Sequence, residues 1–381
     1  MVGYAFMGKA HSFAWREASR FFDLERRPQL SVLAGRNGDA VRAAAANLGF
    51  ADTATDWREL LERPDIDIID ICTPGDSHAE IAIAALQAGK HVLCEKPLAN
   101  NVHEAEAMVA AAKEAGERGV RSMVGFNYRR VPAAVLARDL VADGRVGVVR
   151  HVRATYLQDW IVDPAFPLVW RLQKEHAGSG ALGDIGAHIV DLVQYMLGDQ
   201  IEGVSALTET FIKERPLPQF SSGLSGKAGT ERGPVTVDDA ALFLVRFGSG
   251  AIGTFEATRM ATGRKNELRI EINGSDGSIA FNIEAMNELQ FYDGTEPAAS
   301  AGFRRILVTE PEHPYMHAWW PPGHVLGWDH SFVHEIRDFV DAICSGAELH
   351  PSFADGLQVQ RVLQSVEDSA ASNSAWRSVT M

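Results

Sequence analysis

Three cysteines in 381 residues, Cys72, Cys94 and Cys344, are too few and too odd in number to close a disulfide framework. Cys72 and Cys94 lie in apolar, strand-like runs, a setting that suits reduced thiols. No uninterrupted apolar run approaches the roughly 20 residues that cross a bilayer, and the amino terminus lacks a signal-peptide layout. A cytoplasmic protein with no membrane partner is expected. Positive charge is also scarce. The 36 Lys and Arg face 50 Asp and Glu, and the formal net charge of −14 argues against nucleic acid as a partner. An anionic dinucleotide remains open, because local groups rather than the global field hold such a ligand. Internal repeats and low-complexity blocks are missing as well.

What is present fits a full core: 46% of residues are hydrophobic and 23% charged. The length exceeds what one core usually supports, so two domains are expected. The first third alternates short apolar runs with helical patterns. Met1–Gly3 reads as the tail of a strand and Lys9–Phe22 as a helix. Leu30–Ala34 reads as a second strand and Asp39–Leu48 as a helix stopped at Gly49. The β-branched run 66–72 ends at Thr73-Pro74, as a central parallel strand would. Helix His78–Gln87, strand His91–Cys94, helix Val102–Ala115 and strand Arg121–Phe126 continue the alternation, which implies right-handed βαβ units. After residue 126 the pattern changes. Strands at 149–160, 237–247, 250–258, 268–273, 277–282 and 289–293 follow with few helices between, as in a mostly antiparallel sheet. One helix, Ala181–Leu197, interrupts them, and 331–344 and 355–369 return to helix. Residues 221–234, rich in Gly and Ser, read as a mobile surface loop. The fold class expected is therefore α/β for 1–126, a doubly wound parallel sheet, followed by an α+β domain over 127–381 with a mostly antiparallel open sheet.

At the first strand-to-helix junction, Gly3-Tyr4-Ala5-Phe6-Met7-Gly8 matches G-x-A-x-x-G. Small residues there let the backbone approach a pyrophosphate, whose charge the helix amino terminus stabilises; the plain alternative is a tight turn. The chain starts inside this first strand, so the true start is expected a few residues upstream. The second strand ends in Gly35-Arg36, where a carboxylate would bind the ribose 2′-hydroxyl of NAD and an arginine would accommodate the phosphate of NADP. With Gly35 in place of the acid, the site leans weakly to NADP, although Arg36 could equally stack on adenine or face solvent.

Two further constellations suggest chemistry. Lys96, in Glu95-Lys96-Pro97, sits at a strand's carboxyl end, where open parallel sheets bind ligands. Asp184 and His188 are four apart on a helix and so share a face. Oxidising a secondary alcohol needs a base for the hydroxyl proton while hydride leaves carbon. A histidine titrates near neutral pH, a carboxylate can orient it, and a lysine favours the developing alkoxide. Hence His188 is read as general base, Lys96 as alkoxide stabiliser and Asp184 as orienter. Period two places Tyr156, Gln158 and Trp160 on one strand face, and Tyr128 and Arg129 follow the last strand of the first domain. Aromatics mixed with hydrogen-bonding groups suit a polyhydroxylated ring, although ordinary packing would also explain the aromatics.

With Thr73-Pro74 and His78, Ala88-Gly89-Lys90-His91-Val92 leading into Glu95-Lys96-Pro97, and Asp184 with His188, nearly the whole chain resembles the Gfo/Idh/MocA oxidoreductases. The stretches 125–130 and 155–160, and Trp170-Arg171 ahead of Ala177-Gly178-Ser179-Gly180, look most similar to members that form 3-keto sugars. The resemblance implies a nicotinamide-dependent enzyme that oxidises a secondary ring hydroxyl of a sugar, anhydrosugar or glycoside, with C3 favoured. An inositol or polyol dehydrogenase, a non-catalytic sugar sensor and an NAD-dependent glycosidase are the competing readings. It also implies cofactor contacts from Thr73, Pro74, His78, Glu95, Lys96, Pro97, Asn127, Trp170 and Arg171, substrate contacts from Lys96, Asp184 and His188, a cis Lys96–Pro97 bond, and a homodimer or homotetramer. Gly75 departs from the family pattern, where Asn often follows Thr-Pro. His313, His317, His324, His330 and His334 include two i,i+4 pairs, but Pro314 interrupts one and no cysteine accompanies them, so no metal is expected and some are expected to border the pocket.

Overall fold

The computed structural model describes residues 1–222 and 225–379. In the first part, parallel strands alternate with helices: α1 (Phe6–Phe21), β1 (Val32–Ala34), α2 (Gly38–Leu48), β2 (Asp52–Ala54), β3 (Ile68–Ile71), α3 (His78–Gln87), β4 (His91–Glu95), α4 (Val102–Glu117) and β5 (Ser122–Gly125). The strands form two blocks, β1–β2 and β3–β4–β5. Val2 sews them together by bridging Ala34 on one side and Ile71 on the other. The Val2 N–H donates to Asp70 O at 2.8 Å, the Cys72 N–H to Val2 O at 2.9 Å, and the Ala34 N–H to Met1 O at 2.8 Å. With Val2 counted as the first strand, the sheet has the doubly wound order of a Rossmann domain. The β-branched residues Val32, Ile69, Ile71 and Val92 are buried in it, as a sheet covered on both faces requires.

Helix α5 (Pro132–Ala142) leads into the second part. There β6 (Val149–Leu157), α6 (Lys174–Ala177), α7 (Ala187–Leu197), β7 (Ile201–Glu209), β8 (Glu214–Ser222), β9 (Ser225–Pro234), β10 (Ala240–Phe247), β11 (Ile252–Thr258), β12 (Glu267–Gly274), β13 (Gly277–Asn282), β14 (Glu288–Asp293) and β15 (Arg304–Leu307) precede α8 (His330–Ser345), α9 (Phe353–Ala370) and β16 (Arg377–Ser378). The large sheet runs β15-β14-β13-β12-β6-β11-β10-β7-β16, antiparallel throughout except for the β6–β11 pair. Period-two alternation decides its faces. Val152, Ala154, Phe243, Val245, Phe255 and Ile270 point inward and are buried, whereas Leu242, Leu244 and Ile252 point outward and are exposed.

Three differences from the sequence reading have physical causes. Residues 225–234 are not loop: they form β9 and pair with β8 in an antiparallel hairpin, while 223–224 lie outside the described residues. Gly- and Ser-rich composition hides a strand whose backbone ladder, rather than side-chain packing, holds it. Helix α8 belongs by sequence to the second part but packs on the first, its Phe332, Val333, Ile336 and Phe339 joining Ala14, Trp15, Ala18, Leu93 and Met123 in one cluster. The helix expected at 181–197 opens with a wider π turn, Leu182–Gly186, a device that often re-aims side chains at functional sites.

A polar cluster lies within this core beneath β4. The His11 ring of α1 faces Asp70 through Nδ1 at 3.0 Å and Glu95 through Nε2 at 2.9 Å, and Trp15 Nε1 donates to Asp70 at 2.7 Å. Burial works against a charge on His11, but Asp70 outweighs it and holds the imidazolium well above its ordinary range. Glu335, from α8, is buried with neither carboxyl oxygen hydrogen-bonded among the described residues, and burial pushes it up to about 8 against the pull of His11. In the unfolded chain this group ionises near 4.5. Stability is therefore lost as pH rises from about 4.5 through 8, while the unfolded carboxylate charges and the folded one does not. Thermal melts of Glu335→Gln should match the wild type near pH 4 and exceed it increasingly toward pH 8, by a few kcal/mol.

Candidate active site

A cavity of about 590 Å³ opens between the parallel sheet and the large sheet. Its nucleotide-side wall is built by strand ends. Gly3 adopts φ +97, and a Cβ there would lie 2.8 Å from Cys72 O; a Cβ on Gly8 would lie 2.4 Å from Gly3 O. Only glycines close this turn. Among the described residues no side chain caps the start of α1, and Ala5, Phe6 and Met7 line the cavity there. Bare backbone at a helix amino terminus fits a dinucleotide's pyrophosphate. Thr73, Pro74, His78, Glu95, Lys96 and Pro97 form the adjoining wall. The His78 ring spans this wall, with Nε2 2.9 Å from Thr73 O and Nδ1 3.0 Å from Pro97 O, and the Lys96–Pro97 bond is cis. Gly35 and Arg36 lie outside the cavity lining at the end of β1. A Cβ on Gly35 would strike the Tyr4 ring, and Arg36 is exposed with no ion pair among the described residues.

The two halves meet at Asp184. Lys96 Nζ donates to Asp184 O at 2.7 Å and lies 3.5 Å from its carboxylate. On the other side Arg259 Nη1 lies 3.3 Å from the same carboxylate. Arg259 follows β11, is fully buried, and was invisible to the sequence reading because no motif surrounds it. Burial alone would raise Asp184, but Lys96, Arg259 and Arg171 outweigh it and bring the carboxyl down to about 2. It is an anion throughout the physiological range.

His188 is buried one turn on. No hydrogen bond joins it to Asp184, which corrects the expectation that the carboxylate orients the imidazole. Asp184 spends its oxygens on the two cations, and His188 Nδ1 has no hydrogen-bond partner among the described residues. Aromatic rings hold the imidazole instead: Tyr128 stacks at 4.5 Å, Phe126 meets it edge-on at 6.2 Å, and Tyr156 tilts against it at 5.9 Å. Burial, aided by the Lys96 charge and opposed by Asp184, pushes its pKa well below the ordinary 6.5. The ring is neutral at pH 7.

A directional hydroxyl chain floors the cavity. Trp328 Nε1 donates to Tyr128 Oη at 3.4 Å. Tyr156 donates to Asn266 Oδ1 at 2.8 Å, so the 2.8 Å contact between the tyrosines has Tyr128 as donor. Gln158 Nε2 donates to the same Asn266 oxygen at 2.7 Å, and Gln158 Oε1 accepts from Trp160 Nε1 at 3.0 Å. Trp328 also stacks on Phe6 at 5.5 Å. Asn127, Trp170 and Arg171 line the cavity too, with Arg171 stacked over Trp170.

Arg129 does not reach this cavity. It is buried against Asp191, with contacts of 2.6–3.1 Å, and so ties residues 127–130 to α7. The short 3₁₀ turn Asn127–Arg130 sends its first two side chains to the cavity and its last two into the core. None of His313, His317, His324, His330 and His334 lines the cavity either. His334 donates and accepts in the core, between Arg130 O and Trp319 Nε1, and burial brings it down to about 3.

Comparison with known proteins agrees with this architecture. Residues 1–126 match the family model described as oxidoreductase family, NAD-binding Rossmann fold, and residues 135–280 match the GFO/IDH/MocA C-terminal domain. The chain is similar to levoglucosan dehydrogenase of Pseudarthrobacter phenanthrenivorans, with 44% identity covering 98% of this chain and 96% of the relative. An oxidoreductase domain protein from Kribbella flavida superposes with a TM-score of 0.95 at 65% identity, covering 100% of this chain and 98% of that one. A levoglucosan dehydrogenase solved with NADH and levoglucosan gives 0.93 at 43% identity over 100% and 98% of the two chains. A Rossmann cradle of bare glycine backbone under one family model, closed by a largely antiparallel sheet whose strands β6 to β12 lie under the other, places the chain in the Gfo/Idh/MocA family as an NAD-dependent dehydrogenase.

Proposed function

We propose that the protein oxidises a secondary ring hydroxyl of a sugar, anhydrosugar or glycoside, with C3 as the favoured carbon and a 3-keto sugar as product. One observation carries this reading: a cation, an ionised carboxylate and a neutral buried imidazole converge on a cavity floored by hydroxyl and amide groups. The likeness to levoglucosan dehydrogenase supports the substrate class. NAD, bound along the Gly3–Gly8 turn and the Thr73 and Lys96 strand ends, would supply the hydride acceptor. In this reading His188 takes the hydroxyl proton, because a neutral ring can accept it. Lys96 favours the alkoxide that forms, and Asp184 holds the lysine in place by pairing with it. Phe126, Tyr128 and Tyr156 keep water from the imidazole, while the Tyr156–Asn266–Gln158 network presents polar edges to the sugar.

The direct test is NADH formation with the purified protein across levoglucosan, methyl glucosides, free pyranoses and inositols, with the ketone located by NMR. Oxidation of inositols alone would favour the polyol reading, and cofactor binding without turnover of any of them the sensor reading. Lys96→Ala and His188→Ala should each lower kcat by ~10²-fold or more. Because the Lys96 charge depresses His188, Lys96→Met should raise the histidine pKa toward its ordinary value, measured by ring-proton NMR against pH.

For the 2′-phosphate of NADP, Arg36 is the group that would meet it. Arg36→Ala should raise KM for NADP roughly tenfold and leave KM for NAD within about twofold. The outward face of the large sheet, with exposed Leu207, Leu242, Leu244 and Ile252, is proposed to pair with a second copy. Leu242→Glu/Leu244→Glu should shift light-scattering mass to that of a single chain if so.

A further inference from the structure

Gly75, the departure noted in the sequence, is buried at the cavity wall, and a Cβ there would lie 2.4 Å from Asn100 Oδ1. The Asn100 carboxamide, carried on the loop after Pro97, therefore occupies the volume in which a side chain at 75 would begin. Its other end crosses to the opposite half of the molecule, where Nδ2 donates to His176 O at 3.0 Å. Two more contacts converge on that point. His176 Nδ1 meets Asp76 Oδ2 at 2.9 Å. Gly178, at φ +72, passes so close that a Cβ would lie 2.9 Å from Asn100 O. The segment held by these contacts, 170–178, brings Trp170, Arg171 and Ala177 to the cavity. Its far side is seated on the second half, where Leu172 is buried and the Lys174 N–H donates to Thr236 Oγ1 at 2.7 Å, so the contacts at Asn100 and Asp76 are what tie it to the nucleotide half.

We propose that Gly75, Asn100, His176 and Gly178 form a clasp that fastens the Trp170–Gly178 wall to the nucleotide half, and that Asn100 is the positioning residue on which cofactor retention depends. The clasp exists only because residue 75 lacks a side chain. A methyl group there would expel the carboxamide, and loss of the carboxamide would leave His176 tied to the nucleotide half by Asp76 alone. This rests on the reading that the dinucleotide lies along the wall formed by Thr73, Lys96 and Pro97.

Two readouts separate the clasp from that reading. In the cofactor-free protein, trypsin should cut after Arg171 or Lys174 roughly fivefold faster in Asn100→Ala than in the wild type, as local opening becomes easier. In NADH titrations followed by fluorescence, Asn100→Ala should bind roughly five- to tenfold more weakly, with KM for NAD rising more than kcat falls. Asn100→Asp keeps the shape and removes the Nδ2 donor, so it should behave like Asn100→Ala even if the alanine variant folds poorly. Gly75→Ala should weaken binding by a similar factor alone and add little in the Asn100→Ala background, because both changes break one contact. Unchanged trypsin cleavage and NADH affinity in Asn100→Ala and Asn100→Asp, or fully additive losses in the double variant, would overturn the clasp. Faster cleavage with unchanged NADH affinity would overturn its role in cofactor retention. A wild-type protein that binds no NADH would instead overturn the dinucleotide reading, while the cleavage rates would still decide whether the clasp exists.

Discussion

The structure turns on one carboxylate shared by two cations. Asp184 lies between Lys96, from the end of β4 in the parallel sheet, and Arg259, from the end of β11 in the large sheet. Each cation is largely or wholly buried, and an unpaired charge in that setting costs several kcal/mol. Asp184 offsets both. The two halves of the molecule thus meet through charge neutralisation rather than through a broad apolar seam at this point. The same arrangement leaves His188 without a hydrogen bond to Asp184, and burial together with the Lys96 charge keeps the ring neutral.

A second polar cluster supports the first from below. His11, bridging Asp70 and Glu95, joins α1 to β3 and β4, and Glu95 Oε2 accepts the Lys96 N–H at 3.1 Å. The turn that starts α1 and the strand end that carries the lysine are therefore fixed by one buried imidazolium. A shift of either would leave a carboxylate unpaired in the core.

Much of this was legible in the chain itself. Strand-helix alternation announced the Rossmann half because each βαβ unit repeats a strong local pattern, and Lys96, Asp184 and His188 stood out by position and spacing. The rest depended on distance in sequence. Arg259 and Asn266 reach the site from β11 and the loop before β12, and Trp328 from the residues before α8; none has a local signature. Arg129 misled for the opposite reason, since adjacency to Tyr128 suggested the cavity while a 3₁₀ turn rotates it into the core. The π turn at 182–186 and the β8–β9 hairpin were hidden because backbone geometry, not side-chain periodicity, defines them.

Trp328 touches both ligand regions at once. Its ring lies flat on Phe6, in the turn proposed to receive the nucleotide, and its indole N–H heads the chain through Tyr128 and Tyr156 to Asn266. Whatever moves Phe6 moves the donor at the head of that chain. The nucleotide turn and the hydroxyl floor thus share one indole, and any coupling of their ligands through it would be reciprocal.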